Sequence, residues 1–159
     1  MTFQRILVAT DGGEAAEWAT DAGASLAAQL HADLAFVHVI PRVLAYPTEL
    51  GFVESERIAD LHERADHYLR HAQRRADSAP SEIFMREGVA SAEIIEAAKT
   101  WKADLVILGS HNRGRLSRLI LGSTAEAVVR GSYCPVLVMT HAPKLGCDEA
   151  IAAGELASA

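Results

Sequence analysis

The residues able to do chemistry crowd into one stretch, Gly109 to Glu126, which reads GSHNRGRLSRLILGSTAE. It holds His111 and three arginines within six residues, Arg113, Arg115 and Arg118, in a chain of formal net charge −6. Gly109, Gly114 and Gly122 allow close backbone approach. Ser123-Thr124-Ala125-Glu126 has the S-x-x-E spacing of a capping box, so a helix is predicted to start there. Such a start turns unpaired N–H groups and a partial positive charge toward the loop. Together these are the parts of a phosphate cradle. The same residues also describe a solvated strand-to-helix crossover, and spacing alone leaves both readings open.

Other chemistries fit less well. Gly109 to Leu116 approaches the P-loop pattern G-x-x-x-x-G-K-[ST], but Arg115 stands in the lysine position and Leu116 cannot ligate Mg²⁺. The turn ATDGGEAA after the first apolar run lacks G-x-G-x-x-G. His67 and His71 are four apart on a helical stretch and could share a metal, while His62 falls off that face. His62-Glu63 fails the H-E-x-x-H pattern because position 66 is Asp. These histidines read as a solvated face, and no metal site is assigned. His38, inside an apolar run, reads as a core or pocket-wall residue, Cys134 as an inert packed thiol, and Trp18 and Trp101 as packing residues. No nucleophile–base pair and no paired carboxylates stand near the anion loop, so no catalytic residue is assigned. Asp11 is the one acidic candidate there; before Gly-Gly it can form an Asx turn or meet a ligand.

Five short apolar runs are placed to position these residues. Arg5 to Thr10, Asp33 to Ile40, Glu82 to Glu87, Asp104 to Leu108 and Cys134 to Thr140 read as strands, and Pro41 is expected to stop the second. Between them, amphipathic stretches read as helices over Glu14 to Leu30, Val53 to Asp77, a third opened by Ser91 as N-cap, and Ser123 to Gly131. Strict alternation predicts an α/β domain with a parallel sheet covered by helices on both faces. Ligands of such sheets sit beyond the strand C-termini, at the point where strand order reverses.

The chain has 159 residues, half of them apolar, enough for one domain with a sizeable core. Its acidic balance argues against a general nucleic-acid binder. Two cysteines, Cys134 and Cys147, make no disulfide framework. No apolar run is long enough for a membrane span or a secretion signal, so a cytoplasmic setting is expected.

Taken together, RILVATDGG, DLAFVHVIP, ADLVILGSHNRGRLSRLILGSTAEAVVR and CPVLVM resemble the universal stress protein family over about residues 3–140. The resemblance implies a domain over residues 1–142, with 143–159 as a tail, and an open five-stranded parallel sheet of order 3-2-1-4-5. Nucleotide-binding members carry G-x2-G-x9-G-[ST] after the fourth strand. Here the frame is Gly109, Asn112, nine residues, Gly122 and Ser123, with Asn112 replacing the second glycine. Asn tolerates a left-handed backbone, though its side chain crowds the phosphates. By resemblance, Ala9, Thr10 and Asp11 line the nucleoside end, Val39 contacts adenine with Leu108 beside it, and Gly109, Asn112, Gly122, Ser123 and Thr124 surround ribose and phosphates. The implied ligand is ATP or AMP, with or without Mg²⁺, held by a stress-response regulatory module. A homodimer through residues 134–140 is implied, with no nucleic-acid or membrane partner. The alternatives are a member acting through protein contacts without nucleotide, and a slow ATP hydrolase.

Overall fold

The computed structural model describes residues 2–42, 55–76, 80–110 and 121–140. Five strands, β1 (Arg5–Ala9), β2 (Asp33–Pro41), β3 (Ser81–Gly88), β4 (Leu105–Gly109) and β5 (Val136–Met139), form one sheet of order β3-β2-β1-β4-β5. Every neighbouring pair is parallel. Among the described residues four helices lie between or beside them: α1 (Glu14–Leu30), α2 (Ser55–Arg75), α3 (Ala90–Trp101) and α4 (Ser123–Gly131).

The apolar runs of β1, β2 and β4 have no polar face because helices cover both sides. On one side Ile6, Val8, Leu34, Phe36 and Ile107 pack with Ala19 and Ala27 of α1 and with Leu69 and Ala72 of α2. On the other, Leu7, Val37, Val106 and Leu108 pack with Ile94, Ala98 and Trp101 of α3 and with Ala125 and Val128 of α4. Phe36, Ile6, Leu7 and Ile107 are wholly buried, each contributing roughly 1.5–3 kcal/mol of transfer free energy. Small alanines on the inner helix faces let the helices approach the sheet closely.

The chain winds outward from β1 through α1 and α2 to β3, then crosses back to β4 and on to β5. Strand order therefore reverses between β1 and β4, and the loops after those two strands diverge there. Registers Ala9↔Val37 and Ala9↔Leu108 bring the ends of β1 and β4 level, while β2 runs on to Pro41 beside them.

Some local expectations need correction. Pro41 does not stop β2 but closes it, paired with Gly88. It has no N–H to lose, and β1 has already ended beside it. Ser91 is not the N-cap of α3; Val89 holds that position. Ser123 is the first residue of α4, with Gly122 as N-cap and no side-chain cap, so the capping box does not form. Its intended partner Glu126 instead bonds Arg130 one turn on, at 3.0 Å. The last strand covers Val136–Met139, leaving Cys134 and Pro135 outside it.

Candidate functional site

The site is built where the central strands stop. Thr10 follows β1, and its N–H donates to the Val37 carbonyl at 2.9 Å, the last rung joining β1 to β2. The next acceptor of that ladder, the Thr10 carbonyl, is taken by a side chain: His38 Nδ1 lies 2.8 Å from it. A carbonyl only accepts, so Nδ1 carries the hydrogen. Burial pushes the His38 pKa below its ordinary value, against the opposing pull of this bond and of Asp11.

The turn after Thr10 is tightly specified. Gly13 N–H donates to Asp11 Oδ1 at 2.8 Å, so the Asx turn forms. Gly12 has φ +77°, and a Cβ there would run into the Tyr68 ring of α2. Tyr68 and His38 are themselves neighbours, ring centroids 5.4 Å apart and tilted by 50°. The turn is thus held by α2 from one side and by β2 from beneath. Asp11 stays exposed, with its second carboxylate oxygen outside the Asx bond.

At the end of β4, Gly109 meets the α1 backbone. A Cβ there would collide with the carbonyl of Ala15 and with Ala16 N. The residue is glycine because strand end and helix start touch. Ser110, next along, is buried, its N–H bonded to the Met139 carbonyl at 2.8 Å. Its Oγ accepts the Gly122 N–H at 3.0 Å. Ser110 therefore fixes the start of α4 against the end of β4. Beyond Gly122, the N–H groups of Ser123, Thr124 and Ala125 have no carbonyl four residues back inside the helix, as at any helix N-terminus. Glu126 N–H is the first to find one, at Gly122.

These elements enclose a cavity of about 210 Å³. Seven of the expected residues line it: Ala9, Thr10 and Asp11 from β1 and its turn, Val39 from β2, Leu108 and Gly109 from β4, and Thr124 from α4. Gly122 and Ser123 stand beside Thr124 at the helix start but are not in the wall. Asn112, with His111, Arg113, Arg115 and Arg118, lies outside the described residues. The wall also takes in Val37, Pro41, Ala16, Ala90 and Ile94. Val37 was within reach of sequence reasoning, since it lies two residues before Val39 and shares its sheet face. Ala90 and Ile94 come from α3, whose approach to this edge has no local sign. Ser110 was also missed, because it occupies an unspecified position of the glycine frame.

The helical histidines take other roles. His62 Nε2 lies 2.9 Å from Glu87 on β3. His67 and His71 stack at 6.4 Å, their planes 22° apart.

An open, largely apolar cavity at a strand-order reversal, with a glycine at its floor and a helix N-terminus at its rim, can receive a flat ring at one end and an anion at the other. Comparison with known proteins gives the same direction. The model of the universal stress protein family matches residues 2–140. This chain belongs to the universal stress protein family. The universal stress protein MJ0531 of Methanocaldococcus jannaschii is 30% identical over 147 residues, covering 89% of this chain and 85% of its own length. Among solved structures, protein MJ0577 superposes with a TM-score of 0.74 at 26% identity, covering 89% of this chain and 98% of its own. A universal stress protein crystallised in complex with cAMP superposes with a TM-score of 0.62, also at 26% identity, covering 88% of this chain and 98% of its own.

Proposed function

We propose that this universal stress protein binds an adenine nucleotide, ATP or AMP, in the cavity between β1, β2, β4 and the start of α4, and acts as a cytoplasmic regulatory module. The observation that carries the reading is the convergence of Thr10, Asp11, Val39, Leu108, Gly109 and Thr124, from four elements, on one cavity. Val39 and Leu108 supply apolar surface for the base. Asp11 keeps a carboxylate oxygen for a ribose hydroxyl or an exocyclic amine. Thr124 and the neighbouring N–H groups face the phosphate end, where the α4 dipole favours an anion. The family relative in complex with cAMP supports an adenine ring with at least one phosphate.

Among the described residues lining the cavity, Asp11 is the one carboxylate. A Mg²⁺ ion arriving with the triphosphate would find, among the described residues, Asp11 as its one carboxylate ligand. One carboxylate cannot both hold the metal and take a proton from the attacking water, which argues for slow hydrolysis at most. The reading is tested by calorimetric titration of the whole chain with ATP, AMP and cAMP. Saturable heat with at least one of them is expected. No heat with any of the three at millimolar concentration removes the nucleotide and leaves a family member working through protein contacts.

A further inference from the structure

The nucleotide cavity does not end at β2. A second hollow of about 260 Å³ adjoins it, and the two share Asp11, Val39 and Pro41. Alternation along β2 explains the division. Val37 and Val39 face the α3 side of the sheet, while His38 and Ile40 face the α2 side. The second hollow is accordingly closed by α2, through Leu61, Arg64 and Tyr68. None of these α2 residues touches the first cavity.

The chemistry of this lobe differs from that of its neighbour. Two aromatic rings, His38 and Tyr68, stand 5.4 Å apart with Leu61, Ile40 and Pro41 around them, which suits a planar apolar body. His38 Nδ1–H is committed to Thr10, so the ring nitrogen left to the lobe is Nε2, an acceptor in the neutral imidazole. The Asp11 carboxylate borders the same end, but its oxygen outside the Asx bond belongs to the nucleotide, so His38 Nε2 is the acceptor this lobe offers its own ligand. Among the described residues of the wall Arg64, at the α2 end, is the one cation. Arg64 bonds the Tyr68 hydroxyl and stands 3.9 Å from Asp60, beyond hydrogen-bond reach, so of its five N–H donors the guanidinium keeps some for an incoming anion. An acceptor at one end, a guanidinium at the other and rings between them define a complementary ligand.

We propose that this lobe is a second small-molecule site, taking a heteroaromatic acid whose ring N–H meets His38 and whose carboxylate meets Arg64, beside and independent of the nucleotide. The α2 face then reads a second metabolite at the same edge of the sheet. A ligand there touches Asp11 and Val39 from behind and shares a wall with the nucleotide.

Indole-3-acetate has the required ring N–H and carboxylate and serves as the probe. Calorimetric titration of the whole chain is run with and without saturating AMP. Binding of one equivalent is expected, undiminished by AMP. Arg64→Gln, at an exposed position, weakens it by about tenfold through loss of the charge-assisted bonds. Leu61→Trp fills the lobe and abolishes it, with circular dichroism confirming the fold, while AMP affinity stays unchanged in both variants. The proposal is overturned by absence of heat at millimolar probe, by binding that ignores both substitutions, or by displacement with AMP, which would put the probe in the first cavity. If AMP itself gives no heat, the nucleotide reading fails alone, and the titration without AMP still decides the second site.

Discussion

His38 shows how one side chain can replace a rung of sheet. Its Nδ1–H bonds the Thr10 carbonyl at 2.8 Å, and its ring supports Tyr68, which in turn packs on Gly12. An Asn amide nitrogen occupies the place of Nδ1, whereas a Gln amide reaches only the place of Nε2. His38→Gln should therefore cost about 1 kcal/mol more stability than His38→Asn, the value of one buried hydrogen bond. Urea melts at pH 8 measure this directly. The pH dependence has a definite sign. In the unfolded chain His38 takes a proton near its ordinary value of 6.5, while burial holds the folded group below it. The unfolded state then binds more protons, so stability present above pH 6.5 is lost as the pH falls through the window beneath it. His38→Asn should remove that part of the acid loss; an unchanged pH slope in the variant would contradict the assignment. Much of the site was visible in the sequence, because Asp11-Gly12, Val39 and Gly109 sit where apolar runs end. What escaped were pairings across the chain, Tyr68 on Gly12 and Ser110 on Gly122. Such contacts exist only after α2 and α4 have docked, and no local spacing announces them.

At the scale of elements, the first turn of α4 carries the anion argument. Ser123 is exposed at its first position, and the helix has no side-chain cap. Ser123→Asp should act in opposite directions on two observables. A carboxylate at a helix N-terminus stabilises by about 0.3–1 kcal/mol at low salt, so Tm rises. The same charge within about 6 Å of a phosphate repels it by roughly 3 kcal/mol at an effective dielectric near 20, so ATP affinity falls by at least about tenfold. Thermal melts and calorimetry on one variant read both. A rise in Tm with unchanged affinity would move the phosphates away from α4. The same helix marks where sequence reading holds and where it gives out. The bounds read for α1 and α4 stand, at Glu14–Leu30 and Ser123–Gly131, although the capping box that placed the start of α4 does not form. The caps do not follow, because a cap depends on what else competes for its atoms. Glu126 N–H found the Gly122 carbonyl and the Glu126 side chain found Arg130, so neither was left for a capping box at Ser123.

At the scale of the whole molecule, the two sheet edges are unlike. Edge strand β3 carries Glu82, Arg86 and Glu87, charges that discourage pairing with another sheet. Edge strand β5 is Val136-Leu137-Val138-Met139, with no charge, and Leu137 is 40% exposed. Val129 and Tyr133 beside it are also exposed, the latter although its hydroxyl is bonded to the carbonyls of Ala98 and Ala103. A bare apolar edge of this kind suits the homodimer that the family resemblance implies, and we propose that two copies of β5 meet there about a two-fold axis. The ladder shows which atoms are available. The carbonyls of Pro135 and Met139 accept from Val106 and Ser110, so the odd-numbered backbone groups face β4. Those of Val136 and Val138 face outward. Val138→Pro removes an outward N–H and leaves the β4 ladder whole, while Leu137→Lys charges the exposed apolar face. Light scattering after size exclusion should report a dimer for the parent chain and a folded monomer for both variants. A parent chain that elutes as a monomer at micromolar concentration, or a dimer untouched by either change, would place any partner surface elsewhere than on β5.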